Sequence, residues 1–176
     1  MTELLLHVCC APCSLLSWKV FEKHYQVTGL FFNPNIHPYK EFNKRKETLR
    51  QVSQRENRKI LFEEQYLLKP FLQGVAGKED NRCRFCYEMR LGHTARKAKE
   101  LGFEHFSTTL IVSTYQDHDL IQQTGESIGE NLGLRFVYKD LRIMFKDSIA
   151  LARKQDIYTQ GYCGCIYSEK ERYDRQ

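Results

Sequence analysis

The sequence predicts an α/β protein: one domain over residues 1–176, a three-layer α/β/α sandwich with a parallel sheet at its centre. Three observations carry that expectation. The chain has 176 residues, 41% of them hydrophobic, enough to close one core and too few for two domains of ordinary size. Short apolar runs alternate with longer helical patterns, as expected of parallel strands joined by crossover helices. No internal repeat or low-complexity linker interrupts the alternation.

Residues 3–9 are apolar and strand-like, and Pro12 and Ser14 then open a helix through about residue 25, so Cys9, Cys10 and Cys13 span a strand-to-helix turn. A second strand is expected near 27–32 and is broken by Asn33-Pro34-Asn35. Pro38 begins a long charged helix to about residue 57, and 59–63 reads as a third short strand. The stretch 74–82 is polar and turn-rich. Residues 83–101 form a helix ended by Gly102, with Cys83 and Cys86 in its first turn. A strand at 105–112, a helix at 117–132 ended by Gly133 and a strand at 135–138 follow. The tail, 145–176, carries another helix, the loop 160–165 and a short charged end. Open parallel sheets bind ligands beyond the carboxyl ends of their strands, where Cys9, Cys10, Asn33 and the 113–119 loop are expected.

No window approaches the roughly 18 consecutive apolar residues of a membrane span. Met1-Thr2-Glu3 followed by Leu4-Leu5-Leu6 lacks the basic start of a signal peptide. The expected location is the cytoplasm, with no membrane partner. A reducing compartment argues against structural disulfides and in favour of thiols that bind metal or do redox work. The net charge of +5, from 27 Lys and Arg against 22 Asp and Glu, suits a polyanionic partner and equally an ordinary soluble enzyme.

All seven cysteines fall in Cys9-Cys10-Ala11-Pro12-Cys13, Cys83-Arg84-Phe85-Cys86 and Cys163-Gly164-Cys165. Packing cysteines scatter, whereas ligands converge on a centre and come in short-spaced groups. Soft thiolates select zinc, copper(I) or iron–sulfur clusters, and four suffice for either a zinc or a [4Fe–4S] cube. Seven exceeds both, and a structural zinc would leave three thiols without work. Cys83-x-x-Cys86 lacks the preceding strand of a thioredoxin-like dithiol, while a helix start stabilises anionic thiolates. Cys163 and Cys165, separated by a glycine, can join in a strained disulfide or bind metal together, and spacing does not choose.

The segments His7-Val8-Cys9-Cys10-Ala11-Pro12-Cys13-Ser14, Cys83-x-x-Cys86-Tyr87-x-x-Arg90-Leu91 and Gly161-Tyr162-Cys163-Gly164-Cys165-Ile166-Tyr167-Ser168 closely resemble the cobalamin-independent epoxyqueuosine reductase family, QueH. The resemblance includes Phe31-Phe32-Asn33-Pro34-Asn35-Ile36-His37-Pro38, and Ser107-Thr108-Thr109-Leu110 leading to Ser113-Thr114-Tyr115, where the family often has proline in place of Thr114. It implies an adenine-nucleotide α-hydrolase (HUP, PP-loop) type of fold, a [4Fe–4S] cluster with a second, mononuclear iron beside it, and reduction of epoxyqueuosine to queuosine at the wobble position of tRNA. Carried onto this chain, it implies Cys9, Cys10, Cys83 and Cys86 as cluster ligands and Cys163 with Cys165 as a redox-active pair. Cys13 is then the natural partner of the second metal.

Removing an epoxide oxygen to leave an alkene takes two electrons and two protons, whereas a cube ordinarily passes one electron at a time. The surplus thiols answer that need, through an adjacent iron or through the Cys163/Cys165 dithiol, with a low-potential donor upstream. Candidate proton donors are Tyr115, Asp117, His118, Asp119, Tyr162 and Tyr167. Against these stand plainer roles: Asp117 as a helix N-cap, Asp119 as a dipole partner, His118 as a solvated residue. His7, on a buried strand, reads as a hydrogen-bonded residue behind the site. For tRNA, Lys40, Lys44, Arg45, Lys46 and Arg50, interleaved with Tyr39 and Phe42, and Arg82, Arg84, Arg90, Arg96 and Lys97 are candidate contacts, the alternative being solvated helix faces. The rival functions are a zinc-stabilised nucleic-acid-binding module and a PP-loop-like sulfur-transfer enzyme. The second is weakened because cysteines stand where a glycine-rich phosphate cradle is needed.

Overall fold

In the computed structural model, which describes residues 1–174, the hydrophobic strand β1 (Thr2–His7) lies at the centre of a five-stranded, all-parallel sheet. Leu4, Leu5, Leu6 and His7 are all fully buried, because helices cover both faces and the strand needs no polar alternation. Each of those leucines contributes about 2 kcal/mol through burial. β2 (Tyr25–Phe31) pairs with one edge of β1, Leu6 opposite Gly29, and β4 (His105–Thr108) with the other, Leu6 opposite Ser107. β3 (Ile60–Phe62) and β5 (Arg135–Phe136) close the two ends, giving the order β3-β2-β1-β4-β5. The chain runs outward from β1 to β3 and then returns to add β4 on the opposite side. The resulting switch point lies between the carboxyl ends of β1 and β4, where doubly wound sheets bind ligands.

The helices are α1 (Ala11–Phe21), α2 (Tyr39–Arg55), α3 (Leu68–Val75), α4 (Arg82–Glu100), α5 (His118–Leu132), α6 (Phe145–Lys154) and α7 (Ile166–Tyr173). α4 and α5 pack on each other and over β1, β4 and β5, while α1 packs with α2, α6 and β2. The α/β/α layering thus agrees with the expectation, and no helix of the described residues is long and apolar enough to cross a membrane. The last two residues of the 145–176 tail lie outside the described residues.

Several boundaries differ. α1 stops at Phe21, where Glu22 N donates to Trp18 O at 2.8 Å, and Tyr25 already belongs to β2. The strand expected at 105–112 ends at Thr108, whose hydroxyl accepts from Leu110 N at 3.1 Å and caps a 3-10 turn, Thr109–Val112. This local bond outcompetes the sheet for a β-branched run. α5 matches closely, with Asp117 at its N-cap and Gly133 left-handed at φ 70° after its end. α3 arises in a stretch to which the sequence assigned no element and runs just into the turn-rich 74–82, and α7 arises where a short charged end was expected.

Candidate metal centre

The backbone leaves β1 through Val8 and places Cys9 in the crevice, Cys10 at the N-cap of α1 and Cys13 in its first turn beside Pro12. The three sulfurs all lie within 4.8 Å of one another. Cys9 Sγ and Cys10 Sγ are 3.6 Å apart, and Thr109, brought inward by the 3-10 turn, accepts from Cys9 N at 3.2 Å and donates its hydroxyl to Cys9 Sγ at 3.4 Å. Bonds from the Cys10 and Cys13 thiols hold the Cys9 pKa well below the ordinary thiol value, against the cost of burial, with Arg90 and Thr109 helping. Cys10 is pulled down by its bond with Cys13, but its bond to Cys9 and its burial outweigh that and push it up to about 12. Cys13 stands well above the usual value, through its bonds to Cys10 and Cys9 and its burial. The three thiols thus oppose one another's ionisation, which is favoured at Cys9 and disfavoured at Cys10 and Cys13. A soft cation replaces the protons and relieves the repulsion, and three convergent sulfurs, those of the buried Cys10 and Cys13 and the half-buried Cys9, fit such a cation.

The other two motifs approach from α4 and from the loop before α7. Cys83 is exposed in the first turn of α4, and Cys86 is half-buried one turn on, its pKa pushed up to about 12 by burial against the pull of Arg90. Cys163 Sγ accepts from Gln116 Nε2 at 3.3 Å, and Cys165 Sγ accepts from Ser168 N at 3.3 Å, capping α7. All seven thiols are free. The Cys163 loop is held by the buried Arg45, which donates to Cys163 O at 2.7 Å, Tyr162 O at 3.0 Å and Glu41 Oε1 at 2.6 Å. His37 N donates to Gly164 O at 2.8 Å, and Tyr162 Oη bonds His37 O. Gly164 has φ 150°, and a Cβ there would stand 3.2 Å from Asn35 Nδ2, so a side chain meets both strain and a wall.

Two side chains tie the motifs together. Gln160 Nε2, three residues before Cys163, donates to Cys10 Sγ at 3.0 Å. Arg90, one turn after Cys86 and 1% exposed, donates to Cys86 Sγ at 3.6 Å and to Asn33 Oδ1 at 3.0 Å, and its Nε lies 3.4 Å from His7 Nε2. His7 spans Thr108 Oγ1 at 2.9 Å and Phe32 O at 3.1 Å, and burial followed by the Arg90 charge lowers its pKa to about 3, so it is neutral.

The family model for epoxyqueuosine reductase QueH matches residues 4–171, which include all three cysteine motifs. The chain belongs to the QueH family. Among curated proteins named epoxyqueuosine reductase QueH, one from Dehalococcoides mccartyi is 39% identical over 98% of this chain and 96% of its own length. One from Thermotoga maritima is 31% identical over 99% and 94%, and one from Streptococcus pyogenes 32% identical over 96% and 71%.

Within this QueH-family site, some candidate side chains take the plainer roles that the sequence also offered, and others stand elsewhere than it suggested. Asp117 Oδ1 accepts from Leu120 N at 3.0 Å and caps α5, the plainer of the two roles the sequence offered. Tyr115 is 82% exposed, its ring edge-on to Phe145 with centroids 5.7 Å apart. His118 is buried rather than solvated, bonded to Tyr138 Oη at 3.0 Å and Ser113 O at 2.9 Å, because the 3-10 turn folds that carbonyl over it. Tyr162 bonds to His37 O, and Tyr167 lies under the Arg82 guanidinium. Of the basic residues, Arg45 and Arg90 are buried, Lys46 pairs with Glu64, Arg50 with Glu64 and Glu47, Arg82 with Glu171, and Lys97 with Glu100. Phe42 belongs to the core. Lys40, Lys44, Arg84 and Arg96 remain exposed, as does Tyr39. Sequence reasoning missed Thr109, Gln116 and Gln160. Gln116 is aimed by Tyr87, whose hydroxyl donates to its Oε1 at 2.9 Å. Glutamines carry no chemical signature of their own, so only the fold reveals these.

Proposed function

We propose that the chain is an epoxyqueuosine reductase that acts on tRNA, removing the epoxide oxygen of epoxyqueuosine by a two-electron reduction. The observation that carries this reading is the cluster of the Cys9, Cys10 and Cys13 sulfurs within 4.8 Å of one another at the switch point of the sheet, with Gln160, three residues before Cys163, donating to Cys10 Sγ and Arg90 donating to Cys86 Sγ. The balance is two electrons and two protons in, two C–O bonds broken, one C=C bond formed and water released. Cys9, Cys10, Cys83 and Cys86 are the residues we assign to a [4Fe–4S] cluster, and we assign Cys13, whose sulfur lies within 4.8 Å of those of Cys9 and Cys10, with the Cys163/Cys165 pair to a second iron directly beside it. A bound cluster supplies low-potential electrons one at a time, and a donor outside the chain must refill it.

The protein's own residues do the rest. Cys10 and Cys13 are buried in the floor of the site, which limits water at the sulfurs. Arg45 and His37 fix the Cys163 loop, and Gln116 and Tyr87 orient its thiol, so that reacting groups meet a preset geometry. Tyr115, aromatic and exposed two residues before Asp117 on the loop that carries Gln116, offers a surface on which a base of an unpaired anticodon loop stacks. Asp117, already an acceptor for α5, takes a capping rather than a proton-donating role.

The test is anaerobic incubation of iron-reconstituted protein with epoxyqueuosine-containing tRNA and a low-potential reductant, followed by nucleoside analysis. Queuosine is expected with the iron-loaded protein and none with iron-free protein. A colourless, zinc-loaded protein from iron-replete anaerobic expression would overturn the cluster assignment in favour of a zinc-stabilised module. Serine at both Cys163 and Cys165 with full turnover and unchanged iron content would remove that pair from the reaction.

A further inference from the structure

Arg90 is placed unlike the other buried arginine of the site. Arg45 satisfies its guanidinium with a carboxylate and two carbonyls, as a structural arginine does. Arg90 is equally buried, yet none of the ion pairs among the described residues includes it, and its partners are the Cys86 sulfur, the Asn33 amide oxygen and the edge of a neutral His7. A guanidinium cannot shed its proton, so a buried charge of this kind needs compensation. The compensation at hand is sulfur. The Arg90 charge favours the thiolate at Cys9, Cys86 and Cys163, one cysteine from each motif, although burial outweighs it at the last two. Its aim is fixed at each stage. Asn33 Nδ2 donates to Val8 O at 2.9 Å, which turns Oδ1 toward the guanidinium, and Cys86 and Arg90 share one face of α4 at a spacing of four residues.

We infer that Arg90 tunes the reduction potential of the metal centre: it is a fixed positive charge built behind the cysteine sulfurs so that a centre bound to them accepts an electron more readily. This rests on the iron–sulfur reading above. Added positive charge and hydrogen bonds to sulfur both stabilise the reduced state of a thiolate-bound centre. Arg90 then acts through the ligands rather than on the substrate.

The test is a dye-mediated potentiometric titration of the anaerobic, iron-reconstituted protein, followed by visible absorption and electron paramagnetic resonance, with iron content and circular dichroism measured on every sample. R90Q keeps hydrogen-bonding capacity and loses the charge; its one-electron reduction is expected to become at least about tenfold less favourable, a midpoint about 59 mV lower. R90K keeps the charge and is expected to stay within about threefold of the wild type, which is under 30 mV. N33D leaves Arg90 in place and neutralises it with an isosteric carboxylate; it is expected to shift in the R90Q direction, and it decides the matter if R90Q does not fold. An iron-loaded R90Q or N33D with an unchanged midpoint would overturn the inference, as would equal shifts in R90Q and R90K, which would show that geometry and not charge is at work. A wild-type protein that takes up no iron would instead overturn the cluster reading on which the inference rests.

Discussion

Replacing Arg45 with methionine separates two incompatible accounts of this residue. By its place on a basic helix it is a phosphate contact; by its place in the fold it is the clamp of the Cys163 loop. The residue is 2% exposed and its guanidinium spends three donors on Glu41 Oε1 at 2.6 Å, Cys163 O at 2.7 Å and Tyr162 O at 3.0 Å. Methionine fills much of the volume and supplies none of these bonds. Two carbonyls lose their donors, and Glu41 keeps only the Tyr158 hydroxyl, which bonds Oε2 at 2.8 Å. Removing one partner of a buried, hydrogen-bonded charge pair costs about 3 to 5 kcal/mol. In a chain of this size each kcal/mol lowers the melting temperature by about 2 to 4 °C, so a drop on the order of 10 °C is expected.

The assay is thermal and guanidinium unfolding of the metal-free protein followed by far-ultraviolet circular dichroism, alongside KM for tRNA with the iron-loaded enzyme. If Arg45 is the clamp, R45M loses stability in the metal-free state, where no tRNA is present to matter. If it is a phosphate contact, R45M stays within about 0.5 kcal/mol of the wild type, as surface substitutions do, and only KM rises. That second pattern would refute the clamp.

C13S removes one of the three sulfurs that lie within 4.8 Å of one another; it is expected to lower iron content while the visible cluster absorption persists, and unchanged iron would show that Cys13 holds no metal. Y115A removes an exposed ring worth about 1 to 3 kcal/mol of base stacking, so KM for tRNA should rise roughly fivefold or more at constant kcat, and an unchanged KM would retire the stacking role. Acidification should destabilise the metal-free fold. His7 has a folded pKa of about 3 against 6.5 when unfolded, through burial and then Arg90, so below pH 6.5 the unfolded state binds the extra proton. The stability present above pH 6.5 then falls by up to about 1.4 kcal/mol per pH unit. His37, also lowered by burial, adds to the same slope. H7Q should flatten that slope by one proton between about pH 6 and about pH 5, and parallel slopes for the two proteins would exclude His7 as its source.

The alternation of strands and helices was legible because β1 and β2 are apolar stretches that no amphipathic helix would carry, and because Asp117 and Gly133 mark both ends of α5. The misses have physical causes. α3 has no place in the sequence reading and ends at Gly74 and Val75, where the turn-rich stretch begins, yet its Phe71 and Val75 are buried beside Phe85 and pull the segment into a helix. α7 contains no fully buried residue, so no strong periodic pattern announces it, and its N-cap is a cysteine sulfur that sequence rules do not count among capping groups. Thr109–Val112 has strand composition, but the Thr108 hydroxyl diverts it.

The site was legible as a set of thiols and not as an environment. Cysteine spacing alone singles out the three motifs, since chemistry restricts which residues can bind soft metals. The residues that hold those thiols are named only by tertiary contacts: Thr109 reaches Cys9 across 100 residues of chain, and Gln160 reaches Cys10 across 150. Cations are the sharpest case. Arg45 and Arg90 sit in charged stretches and read as surface residues, because local composition reports how many charges a helix carries and not which face it buries. For Arg90 a usable signal existed. It lies four residues after Cys86, and that spacing puts guanidinium and sulfur on one helical face whenever the segment is helical. If the thiol must point into a metal site, the guanidinium follows it there, and a position read from charge as a contact for phosphate becomes, read from helical periodicity, a charge placed behind sulfur.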